Sequence, residues 1–203
     1  MAVAYIGFGA NLPSAAGSPA ATLAAAVERL ASFGQVTARS RLYSTAPVGY
    51  AEQPRFLNAV VEVETDLSPR ELLVSLLGIE REFGRDRASA IANGPRTLDL
   101  DILLYGDLMV SEPGLETPHP RLAEREFVLV PLNEIAPDVR DPRSGAKVKE
   151  LLEGLRAKLA EDLHQTKNEV VAIESNCWRV GMDCDDAGCG DARADTVADP
   201  DHS

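Results

Sequence analysis

Apolar and polar positions alternate in two distinct periods along this chain, and the switches between them mark out its elements. Residues 2–9 are nearly continuous apolar sequence closed by glycines, which predicts a buried strand running into a turn at residues 9–14. Ser18-Pro19 reads as an N-cap followed by proline at the first helical position. Leu23, Val27, Leu30 and Ala31 then recur at helical spacing, with Gly34 as the stop. Residues 36–45 read as one extended stretch, followed by a loop through Pro47, Gly49 and Pro54, and residues 56–65 alternate as a strand. Ser68-Pro69-Arg70-Glu71 is a capping box that opens a helix with Leu72, Leu76, Ile79 and Phe83 on its apolar stripe and Gly84 at its end. Residues 85–97 are polar and loop-like, residues 98–105 a strand, and Gly106-Asp107 a turn. Short extended pieces follow near 108–110 and 115–117, then a short helix over 121–125 and an apolar stretch over 127–136 that packs on the core. Val148, Leu151, Leu152, Leu155 and Leu159 give a last helix.

Strand–helix–strand–strand–helix–strand is an α+β order. It predicts a ferredoxin-like sandwich, with helices packed on one mainly antiparallel sheet. The pattern sustains a single domain over residues 1–163. It fades from about residue 165, and residues 181–203 are so rich in Asp, Gly and Ala that 164–203 reads as an acidic, disordered tail.

Charge narrows the possible partners. The 203 residues carry 20 basic and 32 acidic side chains, a net of −12. A field of that sign repels phosphate polymers and anionic lipid, so neither nucleic acid nor membrane is an expected partner. Nine of the acids lie in residues 164–203 against Lys167, Arg179 and Arg193, which leaves the body only mildly acidic. No apolar run reaches the roughly 18 residues that span a bilayer. The N-terminus lacks the basic segment of a signal peptide, and a cytoplasmic protein is expected. Cys177, Cys184 and Cys189 all fall in the tail, at spacings unlike those of a zinc module, and read as free thiols in a reducing compartment. All four lysines lie after residue 146, and no G-x-x-x-x-G-K-[ST] run occurs. Any phosphate chemistry in the body must therefore use arginine and metal.

The strongest chemical signal is Gly94-Pro95-Arg96-Thr97-Leu98-Asp99-Leu100-Asp101-Ile102-Leu103-Leu104. Asp99 and Asp101 are two apart on a strand, so their carboxylates share a face and repel each other. Either a divalent cation such as magnesium compensates them, or these acids are exposed at a strand end or paired with Arg96. Arg81, Arg85, Arg87 and Arg96 precede or flank the pair, and Arg121 and Arg125 follow around His119. Guanidinium forks match phosphate oxygens. A carboxylate pair ringed by arginines suits phosphoryl or nucleotidyl transfer. Arg81, directly after Glu80 on the predicted helix, reads as a solvated helix residue instead. His119, held between two prolines, is either an oriented ligand group or a structural histidine. Phe56 and Asn58 share a strand face, either as a platform for a planar heterocycle or as core and strand edge.

Five segments, in order, resemble the 6-hydroxymethyl-7,8-dihydropterin pyrophosphokinase family of folate biosynthesis. They are Tyr5-Ile6-Gly7-Phe8-Gly9-Ala10-Asn11-Leu12, Tyr43-Ser44-Thr45-Ala46-Pro47-Val48-Gly49, Gln53-Pro54-Arg55-Phe56-Leu57-Asn58-Ala59, the Gly94 to Leu104 run, and Pro118-His119-Pro120-Arg121-Leu122 through Arg125-Glu126-Phe127-Val128. The resemblance spans about residues 2–160. It implies transfer of a pyrophosphoryl group from ATP to the hydroxymethyl group of the pterin, with AMP released, by a monomer. It implies two magnesium ions held by Asp99 and Asp101, and catalytic roles for Arg85 and Arg96 on the phosphates. It places Glu80, Arg87, Ile102, His119 and Arg125 at the nucleotide. It places Thr45, Val48, Phe56, Asn58 and Phe127 at the pterin, with the two phenylalanines stacking on the ring. Ala92 and Asn93 stand where some members carry basic and tryptophan residues, which implies weaker closure of that loop or a different loop pose, rather than lost chemistry. A metal-dependent nucleotidyltransferase also places D-x-D on a strand, and differs by transferring AMP rather than releasing it. A pterin- or nucleotide-binding protein without activity is the remaining alternative.

Overall fold

The computed structural model describes residues 1–47, 49, 52–85 and 94–161, and the backbone of 171–173. The strands are β1 (Ala2–Ala10), β2 (Gln35–Arg39), β3 (Leu42–Thr45), β4 (Phe56–Thr65), β5 (Asp99–Tyr105), β6 (Val110–Glu112), β7 (Leu115–Thr117) and β8 (Val171–Ile173). The helices are α1 (Pro19–Leu30), α2 (Pro69–Glu82), α3 (Glu126–Ile135) and α4 (Val148–Glu161). The main sheet runs β5-β1-β4-β3-β8, with β2 also pairing β4, and every pairing in it is antiparallel. This is the expected α+β sandwich. β6 and β7 form a separate small hairpin.

Period two along β1 explains the layers. Ala4, Ile6, Phe8 and Ala10 point to one face and join Leu23, Val27, Leu30, Leu72, Leu76 and Ile79 of α1 and α2 in one core. Tyr5 points the other way and joins Val60 and Leu103 against Val128, Leu129 and Leu132 of α3 and Leu152 of α4. Both sheet faces are thus covered, each by a pair of helices.

Local chemistry sets the helix starts. Ser18 Oγ accepts from the Ala21 amide to cap α1. At α2 the Ser68 side chain accepts from the Glu71 amide while the Glu71 carboxylate accepts from the Ser68 amide at 2.8 Å, closing the box read from sequence.

Three elements differ from the sequence reading. The extended stretch 36–45 is two strands, broken at Ser40, whose hydroxyl accepts from the Val60 amide at 3.0 Å and donates to the Arg41 carbonyl at 2.8 Å. The Ser40 amide still donates to the Val60 carbonyl at 2.9 Å, while the hydroxyl stands in for the Ser40 carbonyl as acceptor of the return bond. The apolar stretch 127–136 forms the helix α3, which holds a buried Pro131 that offers no amide to the Phe127 carbonyl one turn earlier. Within the tail, residues 171–173 pair with β3 as an edge strand. The three cysteines and the rest of the tail lie outside the described residues.

Candidate active site

Register places the chemistry. Gly9 lies between Asn58 on β4 and Asp99 on β5, and Gly7 between Val60 and Asp101. All point to the face of the sheet that α3 covers, at the end of the sheet where β4 and β5 begin. A Cβ on Gly9 would stand 3.3 Å from Asn58 Oδ1 and 3.8 Å from Asp99 Cβ. The bare glycine therefore lets the amide and the carboxylate approach across the central strand. The result is a cleft open to solvent with about 880 Å³ of space, bounded by Gly7, Gly9, Thr45, Phe56, Asn58, Arg96, Asp99, Asp101, Arg121, Arg125 and Phe127.

At one end the groups suit a flat heterocycle. Asn58 is buried, and its Nδ2 donates to Thr45 Oγ1 at 2.8 Å, which leaves the amide fixed in orientation. Phe56 from β4 and Phe127 from the first turn of α3 both border the cleft. The Arg96 guanidinium lies 5.5 Å from the Phe56 ring centroid and that of Arg125 5.5 Å from the Phe127 centroid. Each ring is thus paired with a cation from the polar end.

At the polar end, Asp99 is held by two arginines. Arg85 Nη1 donates to Asp99 Oδ1, and Arg96 Nη1 donates to Asp99 Oδ2 at 2.6 Å. Burial opposes ionisation of Asp99, but the two guanidinium groups outweigh it and hold the carboxyl below the usual range. Asp101, two residues along, has no hydrogen-bond or ion-pair partner among the described residues. Burial, reinforced by the charge on Asp99, pushes its pKa up to about 6. A carboxylate pair with one member uncompensated has the chemistry of a hard-cation site. No cluster of three or more His, Cys, Asp or Glu side chains is present among the described residues. A cation here would take its other ligands from water or phosphate, which is how magnesium sits beside a polyphosphate.

Glu80, Asn11 and the 117–121 segment hold this arrangement. Glu80 is 1% exposed on α2, and its Oε1 accepts from the Leu100 amide at 2.9 Å and from Arg85 Nη1 at 3.0 Å. It works from beneath β5, through Arg85, rather than by lining the cleft. Asn11 is also buried. Its Oδ1 accepts from the Arg96 amide at 2.8 Å, and its Nδ2 donates to Gln53 Oε1 and the Pro54 carbonyl, both at 3.0 Å. One side chain therefore ties the Arg96 loop to the loop that leads into Phe56. The His119 amide donates to the Leu103 carbonyl at 2.9 Å, and its Nδ1 accepts from the Arg121 amide at 3.1 Å, which places the ring proton on Nε2. Burial, with Arg125 and Arg121 nearby, lowers the His119 pKa to about 4, so the ring is a neutral donor.

The structure brings Thr45, Phe56, Asn58, Arg96, Asp99, Asp101, Arg125 and Phe127 into one cleft, with Arg85 at its edge. It does not bring Ile102 there. That side chain is buried against α1 and α2, because period two turns it away from its neighbours Asp101 and Leu103. Arg81 is on the α2 surface, donating to the Leu77 carbonyl within its own helix. Val48, Arg87, Ala92 and Asn93 lie outside the described residues. Asn11 and Gly9 were not singled out from the sequence as site residues. Their signal was the Gly-Phe-Gly-Ala-Asn run itself, where two glycines and an amide end a buried strand.

Among the described residues no helix is long and apolar enough to cross a membrane. Comparison with known proteins agrees with the geometry. A sequence model of the family 7,8-dihydro-6-hydroxymethylpterin-pyrophosphokinase (HPPK) matches residues 5–137. A 2-amino-4-hydroxy-6-hydroxymethyldihydropteridine pyrophosphokinase of Methylorubrum extorquens is 47% identical over 68% of this chain and 85% of its own length. The Pseudomonas aeruginosa protein of the same name is 45% identical over 73% of this chain and 88% of its own. Among solved structures, wild-type Plasmodium falciparum HPPK-DHPS superposes with a TM-score of 0.64 at 15% identity, over 81% of this chain and 46% of that one. This chain thus spans about half of that longer protein, and the likeness speaks to the fold. The match over residues 5–137 and the two bacterial relatives show that the chain belongs to the 7,8-dihydro-6-hydroxymethylpterin-pyrophosphokinase family.

Proposed function

We propose that the cleft between α3 and the sheet carries out the family's pyrophosphoryl transfer by a division of labour between its two ends. The pterin lies at the amide end, stacked between Phe56 and Phe127, with its polar edge on Asn58. ATP lies at the arginine end, with its phosphates beside Arg85, Arg96 and Arg125 and the nucleoside toward His119. The pterin hydroxyl oxygen attacks the β-phosphorus and gives its proton to solvent, the bond from that phosphorus to the α,β-bridging oxygen breaks, and AMP leaves with the bonding electrons.

The observation that carries this reading is the pair Asp99 and Asp101, two carboxylates on one strand face of which only one is neutralised by protein cations. Asp99 and Asp101 would hold magnesium, two ions in the full reading, which supplies charge neutralisation of the polyphosphate. The chain's own residues do the rest. Arg85 and Arg96 each donate from Nη1 to an oxygen of the Asp99 carboxylate in this structure, and the same donors suit phosphate oxygens. Asn58, held by Thr45, orients the pterin so that its hydroxymethyl group faces the carboxylates. His119 donates from Nε2 to an acceptor on the nucleotide.

Purified protein incubated with ATP, magnesium and 6-hydroxymethyl-7,8-dihydropterin should form AMP, followed by chromatography. AMP that appears only with both pterin and metal supports the reading. Pyrophosphate release with AMP on the substrate would identify a nucleotidyltransferase instead, and binding without turnover an inactive relative.

A further inference from the structure

The segment Pro118-His119-Pro120 cannot brace itself. Proline has no N–H, so His119 supplies the segment's one backbone donor, and that donor is committed to Leu103 on β5. The carbonyls of Pro118 and Pro120 stand on either side of His119. Arg143 reaches them. Its Nη2 donates to the Pro118 carbonyl at 2.9 Å and to Glu116 Oε1 at 3.0 Å, and its Nη1 makes a longer contact of 3.5 Å with the Pro120 carbonyl.

We propose that Arg143 is a positioning residue for the nucleotide end of the cleft, acting through the peptide carbonyls that flank His119. The inference rests on the placement of His119 at the nucleotide. Arg143 is itself presented rigidly. Its amide donates to Oδ1 of the buried Asp141 at 3.0 Å, and Asp141 Oδ2 accepts from Ser144 Oγ at 2.7 Å. The turn closes with the Gly145 amide donating to the Asp141 carbonyl at 2.7 Å, where Gly145 has φ +74°. Beyond it begins α4, whose packing on α3 anchors the turn to the helix that carries Phe127. A guanidinium suits this place because its fork serves a carboxylate and two carbonyls at once, which a lysine ammonium on a flexible stem does not match.

The test is steady-state kinetics of the full chain with Arg143→Met, Arg143→Lys, His119→Ala and the Arg143→Met/His119→Ala pair. Arg143→Met should raise the KM for ATP about tenfold, with kcat and the pterin KM within about twofold, since it loosens binding without touching the reacting atoms. Thermal unfolding should stay close to wild type, because Arg143 is 44% exposed. Arg143→Lys should recover part of the loss. The double variant should bind ATP no more weakly than His119→Ala alone, because both act through one group. An unchanged ATP KM in Arg143→Met, additive effects in the pair, or a fall in kcat and both affinities together with the unfolding temperature would overturn the inference. If His119→Ala leaves the ATP KM at the wild-type value, the nucleotide placement of His119 fails, and the inference with it. If His119→Ala raises it and Arg143→Met does not, only the role of Arg143 fails.

Discussion

Glu80 Oε1 accepts at once from the Leu100 amide on β5, at 2.9 Å, and from Arg85 Nη1, at 3.0 Å. A single buried oxygen thus ties helix α2 to the strand that carries the aspartates and to the arginine that grips one of them. Removing it leaves Arg85 short of a partner in a largely enclosed place. Glu80→Ala should lose about 3 kcal/mol of stability, the scale of a broken buried ion pair, measured by urea unfolding. Glu80→Gln keeps an acceptor and should lose roughly half as much.

Asp99 and Asp101 are expected to be needed for chemistry and not for pterin recognition. Asp99→Ala should lower kcat by about a thousandfold or more, while the pterin dissociation constant stays within a few-fold by calorimetry. Near-normal turnover would remove these carboxylates from the mechanism.

The raised pKa of Asp101, about 6 in the folded chain, makes a statement about stability. The folded state binds this proton more tightly than the unfolded chain does. Stability from this group is therefore full below pH 4 and lost as pH rises through 6. At about 1.4 kcal/mol per pKa unit the loss is at most about 3 kcal/mol, and water at the open cleft reduces it. Metal-free Asp101→Asn should then be more stable than metal-free wild type at pH 8 by about 1–2 kcal/mol. The two should converge near pH 4, as followed by chemical denaturation.

His119 carries the opposite sign. Its folded pKa, about 4, lies below the ordinary value of 6.5, so the unfolded chain takes up this proton first. Stability from His119 is present above about pH 6.5 and is lost as pH falls toward 4. An NMR titration of the ring should show it still neutral at pH 5.5, and a midpoint near 6.5 would contradict the burial and the two neighbouring arginines.

Gly9→Ala places a methyl 3.3 Å from Asn58 Oδ1, tight enough to push the amide off Thr45. The pterin KM should rise about tenfold, with the KM for ATP within about twofold, in the same kinetic assay.

Local rules are strong where one residue's chemistry decides the outcome. The α1 and α2 caps, the α2 stripe, the apolar run of β1 and the alternation of β4 are legible because capping and period act within a few residues. The D-x-D pair on one face, and Phe56 with Asn58 on another strand, follow from period two in the same way. Tertiary structure decided the rest. Ser40 breaks an extended stretch into two strands because its hydroxyl meets Val60, 20 residues away. The apolar run around Pro131 becomes a helix because β4 and α4 bury it. The partition of the aspartates, one clamped and one bare, depends on Arg85 arriving from the end of α2 and Arg96 from its own loop. By itself the sequence determined which polar residues share a strand face, because period two acts within a few residues. Which of them meet, and which side chain braces another, was set by long-range pairing, because β5, β4 and the loop carrying His119 are neighbours only once the sheet has closed around β1.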